Sequence, residues 1–149
     1  VIIFSVERWA ACGEEMFAAS FAHEKEVNRY DNQFKLNPNL ETYAKLDEVG
    51  ALLNVIARED RRLCGYAIFL VMNHMHYSIP WAGGDGFWLD KTARRPRVAS
   101  RMIRFCESSL RDRGVILLTI PAPPKDQKMM RLLVAAGYEL SSSAYSRRL

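Results

Sequence analysis

Four arginines crowd one short stretch of this chain: Arg94, Arg95, Arg97 and Arg101, within FWLDKTARRPRVASR at residues 87–101. The apolar positions Val98, Ala99, Met102, Ile103, Cys106 and Leu110 recur at helical spacing, which predicts a helix from about Pro96 to Arg113. The arginines therefore gather at a helix N-terminus, where the dipole and unpaired N–H groups already supply positive charge. Cations there cost helix stability unless an anion sits at the same end. Free N–H groups, the dipole and several guanidinium groups together make a cradle for a polyphosphate. Pro96 suits the first turn, because its missing N–H costs little there. Two other readings stay open. The arginines can form a solvated basic face, or the anion can be a nucleic-acid backbone, although the interleaved aromatics of a single-strand binder are lacking.

Further side chains could handle protons. His74 and His76 lie two apart and share a face if they lie in a strand. No third ligand stands near them, so no metal is expected. His76 could act as a general base, as an imidazole can, or it is a structural or exposed loop histidine. Asp85 precedes Phe87 by two and shares its face on a regular strand; it is a base or an ordinary loop aspartate. Tyr145 could donate a proton or could pack in a closing strand. Glu24 and Glu26 could face an acceptor or simply be solvated, and Trp81 and Trp88 could line a pocket or fill the core.

These residues need elements to hold them. The 149 residues are 49% apolar and 26% charged, which suits one folded domain (1–149) and excludes a disordered or low-complexity chain. No apolar stretch approaches the ~20 residues of a membrane span. Cys12, Cys64 and Cys106 form no C-x-x-C pair, so neither a disulfide framework nor a cysteine zinc site is expected, and a reducing, cytoplasmic compartment is. Charge is uneven. Residues 1–50 hold nine acids against five bases, and residues 51–149 hold eight against sixteen. Either the two faces are solvated differently, or an anion docks on the second part and a cation near the first.

Periodicity predicts a strand at 1–6, a helix from about Ala10 to Tyr30, and a second helix from Leu40 to Val49 closed by Gly50. Leu52–Ala57 and Leu63–Met72 read as a hairpin about the charged turn 58–62. Pro80, Gly83 and Gly84 read as loop before a short strand at 86–90. After the arginine-bearing helix come a strand at 115–120, a helix at about 126–136, and a closing strand from Tyr138 to Leu149. The order β-α-α-β-β-β-α-β-α-β describes an α/β fold, a mixed, mostly antiparallel central sheet flanked by helices.

At the arginine loop the sequence resembles the GNAT superfamily of N-acetyltransferases. There an apolar-x-apolar strand leads into Arg/Gln-x-x-Gly-x-Gly/Ala, which opens a helix and holds the pyrophosphate of acyl-CoA. Phe87 and Leu89 match the strand, and Arg94 to Ala99 fall on the six loop positions; Arg97 stands where the family usually has Gly. Leu63-x-Gly65-Tyr66-Ala67-Ile68 resembles the family's third-strand pattern. Met129-x-x-Leu132-Leu133-x-x-Ala136-Gly137-Tyr138 resembles its closing element.

The resemblance implies an acyltransferase that moves an acetyl or similar acyl group from acetyl-CoA, or another acyl-CoA, to an acceptor amine. The implied cofactor contacts are Phe87, Trp88, Leu89, Arg94, Arg95, Arg97, Val98 and Ala99, with His76, Asp85 and Tyr145 as proton-transfer candidates. A tyrosine that often protonates the leaving thiolate in the family is replaced by Leu133, and an asparagine near the cofactor by Asp126. A non-catalytic module that binds CoA or nucleic acid on the same fold is the alternative. The implied partner is a small-molecule or protein amine, with a homodimer as a further expectation. The two-helix arm and Asn73–Tyr77 look most like bacteriophage-encoded members, which would place the protein in a host cytoplasm.

Overall fold

The computed structural model describes residues 1–149. Its strands are β1 (Ile2–Glu7), β2 (Leu52–Glu59), β3 (Arg62–Asn73), β4 (Pro80–Leu89) and β5 (Leu117–Thr119). Its helices are α1 (Trp9–Val27), α2 (Leu40–Glu48), α3 (Val98–Asp112) and α4 (Gln127–Ala135), with one 3-10 turn at Lys91–Ala93. The five strands lie side by side in chain order. The first four pair antiparallel, and β4 pairs with β5 in parallel. The expected α/β class holds, and the order holds through α4.

Two expectations are corrected. Tyr138–Leu149 forms no strand; residues 139–149 are exposed throughout. The run Ser141-Ser142-Ser143-Ala144 offers little apolar surface to bury on a sheet, so nothing repays the ordering of a sixth strand. Residues 80–85, read as loop, are the first half of β4. Their glycines gain from ladder bonds to β3 and β5 what they lack in propensity.

β2 is apolar on both faces because both are covered. Leu53, Val55 and Ala57 join a 15-residue cluster under α3 with Phe69, Met102, Cys106 and Leu110. Leu52 and Ile56 face α1 and α2 in an eight-residue cluster that includes Met16, Tyr66 and Trp88. Gly65 permits the tight packing of β3 on β4, since a Cβ there would stand 2.8 Å from the Trp88 carbonyl oxygen.

Two irregularities in β4 shape the molecule. The ladder with β3 pairs Phe69 with Gly84 and Ile68 with Gly86, which leaves Asp85 as the extra residue of a bulge. On the other side, β4 meets β5 only at Trp81–Leu117, Ala82–Leu118 and Gly83–Thr119. Beyond Gly83 the strands part. Pro121, Pro123 and Pro124 have no N–H to extend a ladder, so the chain after β5 leaves the sheet and Gly84–Leu89 keeps an open edge.

Candidate active site

The open half of β4 leads straight to the arginine loop. Phe87 and Leu89 pack against the α3 cluster, while Trp88 fills the cluster under α1. Asp90 caps the 3-10 turn by accepting from the Thr92 N–H at 2.9 Å. Arg94 ties the loop down, donating Nε to the Leu89 carbonyl at 2.9 Å and pairing with Glu26 of α1 at 2.6 Å. Glu26 also accepts from the Trp88 indole at 3.2 Å. Burial alone raises the Glu26 carboxyl, but its bonds to Arg94 and Trp88 outweigh that and hold it below the usual range. Arg95 pairs with Glu59 at 2.5 Å.

The cradle is therefore narrower than four arginines suggest. Arg94 and Arg95 meet carboxylates inside the protein, whereas Arg97 and Arg101 make no ion pair. Arg97 is the N-cap of α3 with φ +66°, the left-handed region that glycine favours, and its side chain caps nothing. Glycine, the residue the family usually has at this loop position, would meet this backbone requirement without strain. Val98 is buried and anchors the turn, and Ala99 follows it half-buried. No acidic residue occupies the first turn, and the Ala99 and Ser100 N–H groups have no hydrogen-bond acceptor in the protein. Those donors suit a polyphosphate.

On the other side of the sheet, an open cavity of about 340 Å³ lies between α1, the connecting segment 28–39, α2 and the bulge. Two hydrogen-bonded pairs reach into it. The Tyr43 hydroxyl of α2 donates to Asp85 Oδ2 at 2.5 Å. His23 Nδ1 of α1 lies 2.7 Å from the Tyr66 hydroxyl of β3. Burial holds His23 below its ordinary value, which favours neutral imidazole, and burial together with Asp85 pushes the Tyr43 hydroxyl well up. A Cβ on Gly86 would touch both the Tyr66 ring, at 3.4 Å, and His23, at 3.8 Å. The second pair thus lies directly against the backbone next to Asp85.

Of the three proton-transfer candidates, only Asp85 enters this cavity. The expected face-sharing with Phe87 fails: the bulge breaks strand alternation and turns the Asp85 carboxylate toward α2, while Phe87 packs toward α3. His76 lies in the β3–β4 turn, with His74 and Tyr77, beyond the Asn73–Pro80 end of the ladder, which is itself roughly 15 Å along β4 from Asp85. Tyr145 is 97% exposed and lies on no strand. Trp88 is core, and Trp81 donates to Thr119 across the β4–β5 pair. Of the two arm carboxylates, Glu24 lines the cavity and Glu26 serves the arginine loop. The tyrosine missing at Leu133 is replaced by a buried apolar side chain, and Asp126 caps α4 through the Met129 N–H. No group of three or more His, Cys, Asp or Glu is arranged to hold a metal.

Sequence reasoning missed His23 and Tyr43. A signal existed for His23, because Met16, Ser20, His23 and Val27 follow one helical stripe and all line the cavity.

A strand bearing Phe87 and Leu89 that runs into a loop and then a helix N-terminus with free N–H groups is what the arginine-loop resemblance called for; the carboxylate-bearing bulge on the same strand goes beyond it. The family model described as "Acetyltransferase (GNAT) family" matches residues 13–138. The chain belongs to the GNAT acetyltransferase family. Among solved structures it resembles a ribosomal-protein-alanine N-acetyltransferase from Brucella melitensis biovar Abortus 2308 (16% identity, 100% of this chain and 99% of that one, TM-score 0.75). It also resembles an aminoglycoside acetyltransferase from an uncultured soil metagenomic sample, in complex with sisomicin (13%, 99% and 96%, 0.79). A third is AAC(6')-Iy with the bisubstrate analogue CoA-S-monomethyl-acetylneamine (13%, 100% and 98%, 0.69). At these identities the likeness is one of fold. A comparison with curated protein sequences finds no match. The likeness of the arm to bacteriophage-encoded members gains no support from these relatives. No helix is long and apolar enough to cross a membrane.

Proposed function

We propose that this GNAT protein transfers an acetyl or similar acyl group from acyl-CoA to an amine held in the Asp85 cavity. The observation that carries the reading is β4 itself. Its open edge and the Asp85 bulge lie along one strand, which leads through the arginine loop to the α3 N-terminus with its unpaired Ala99 and Ser100 N–H groups. In this reading the Arg97 guanidinium and the Ala99 and Ser100 N–H groups hold the pyrophosphate, and the Gly84–Leu89 edge holds the pantetheine arm. Arg94 acts as a positioning residue that fixes the loop to α1. The acceptor enters from the α1–α2 side.

Asp85 is then the group placed to take the proton from the acceptor ammonium, with Tyr43 holding one carboxylate oxygen in place. The freed amine nitrogen attacks the thioester carbonyl carbon, a C–N bond forms, the C–S bond breaks and the CoA thiolate leaves, while the nitrogen gives up its second proton to solvent. Leu133 offers no proton, so the thiolate takes one from solvent. A thiolate is a good leaving group, and positioning two bound reactants supplies much of the rate. The absent acid also favours a second reading, a module that binds acyl-CoA without turning it over. Three free, buried thiols suit a reducing compartment in either case.

Thermal unfolding with and without acetyl-CoA tests the binding half. A millimolar concentration should raise the Tm by mass action, and Arg97→Ala should weaken binding by about 1.5–3 kcal/mol through loss of a charge-assisted contact. No shift would rule out both readings. A shift without CoA release in the presence of any amine would select the non-catalytic one.

A further inference from the structure

The walls of the Asp85 cavity discriminate between kinds of amine. Rings make up much of its lining: Trp9 stacks on Tyr43 with centroids 4.8 Å apart, Tyr30 meets Phe34 edge-on at 5.6 Å, and Phe17 adds a further ring from α1. Its carboxylates are Asp85 and Glu24. Against these stand Arg29 and Lys35 on the connecting segment, and Arg148 lies 5.4 Å over the Phe34 ring. Negative charge is thus placed at the bulge and on α1, and positive charge at the rim formed by the connecting segment.

One ammonium group is well served here. It can meet Asp85 and ring faces together, and an apolar body attached to it can bury against the remaining rings. A polyhydroxylated polyamine is poorly served. Its hydroxyls would lie against rings over much of the wall, and ammonium groups beyond those that Asp85 and Glu24 can meet would face Arg29, Lys35 and Arg148. We propose that the acceptor is a monoamine on an aromatic or apolar body, a class unlike the aminoglycosides that some structural relatives acetylate. The proposal rests on this cavity being the acceptor site, as in the reading above.

The test uses the full chain and two probe amines, phenethylamine and sisomicin, with CoA thiol release as the readout. The acetyl-CoA thermal shift is measured alongside. The expected result is a kcat/KM for phenethylamine at least ten-fold above that for sisomicin. Phe34→Ala, on the exposed connecting segment, should raise the phenethylamine KM roughly five- to ten-fold with kcat little changed and the acetyl-CoA shift intact. Equal or greater use of sisomicin would overturn the proposal. So would an unchanged phenethylamine KM in the Phe34 variant, or no turnover of either amine by a protein that acetyl-CoA stabilises. If acetyl-CoA gives no shift, the underlying acyltransferase reading fails and this inference falls with it.

Discussion

One sheet in this protein has a filled face and an unfilled one. Under α3, fifteen buried residues close a core that runs from Ile2 and Phe69 to Met102 and Leu110, and every one of them is apolar. Under α1 and α2 the buried set is about half that size. It includes Tyr66 and Trp88, whose polar tips reach His23 and Glu26, and beyond them the face opens into a cavity. The difference arises in β4. Ala82, Phe87 and Leu89 give the first face bulk, whereas on the second face β4 supplies Trp88 and, beside the cavity, only the Gly86 backbone and the bulged Asp85 carboxylate. Stability is concentrated where packing is complete, and chemistry can occur only where it is not. Substitutions on the two faces should therefore separate into effects on folding and effects on turnover.

The largest separation is expected at Asp85. Asp85→Asn should lower acetyl transfer by about 10²–10⁴-fold, the range of general acid–base catalysis, with the melting temperature nearly unchanged. His76→Ala and Tyr145→Phe, which the fold places away from the bulge, should each stay within a few fold. A loss of only a few fold at Asp85 would mean that solvent takes the ammonium proton. On the filled face, Phe69 is 1% exposed, and Phe69→Ala should cost about 3–5 kcal/mol in urea unfolding. Phe17→Ala, on the half-buried cavity wall, should cost clearly less. Equal costs would show that the cavity closes into a packed core in solution.

Arg97 sharpens the comparison at smaller magnitude, because its backbone and its charge can be tested apart. Arg97→Gly should relieve the left-handed φ and stabilise the fold by roughly 1 kcal/mol, while Arg97→Ala keeps the strain. Both remove the guanidinium and should weaken acetyl-CoA binding to a similar degree. If the glycine variant binds as tightly as the parent, the backbone N–H groups alone form the cradle.

Much of the filled face was legible in the sequence, because Val98, Met102, Cys106 and Leu110 repeat at the period of a helix and the β2 and β3 runs are plainly apolar. The site was legible only in part. The arginine loop stood out by its chemistry, but its division into paired and unpaired arginines depends on Glu26 and Glu59, which come from distant parts of the chain. The acidic character of residues 1–50 divides in the same way. Glu7 and Glu15 hold Arg58, Asp47 holds Arg8, and Asp31 holds Lys125, so much of that charge is spent in ion pairs and Glu24 is what faces the cavity. β4 was half hidden because Pro80, Gly83, Gly84 and Gly86 have loop propensities that the ladders on either side override. A bulge leaves no local trace at all: Asp85 reads as face-sharing with Phe87 until the pairing with β3 is known.

The smallest effect concerns His23, and its sign follows from burial. Burial holds the folded-state value below ordinary, with Glu26 and Asp126 opposing and Arg29 and Arg94 adding to the fall. In the unfolded chain the imidazole titrates near 6.5. Between the folded value and about 6.5, the unfolded chain therefore binds more protons than the folded one. Stability must rise with pH across that window and fall on acidification through it. His23→Gln removes the titration and keeps a side chain able to bond the Tyr66 hydroxyl. Urea unfolding at pH 7.5 and 5.5, above the range where carboxylates titrate, should show the parent losing stability and the variant losing less. The gap is bounded by about 1.4 kcal/mol for the single pH unit below 6.5. Equal losses would mean that His23 is hydrated and takes up its proton without leaving the fold. The unfilled face would then be wetter than its packing against Tyr66 and Gly86 implies, and the His23–Tyr66 pair would have no part in keeping a neutral base beside the bulge.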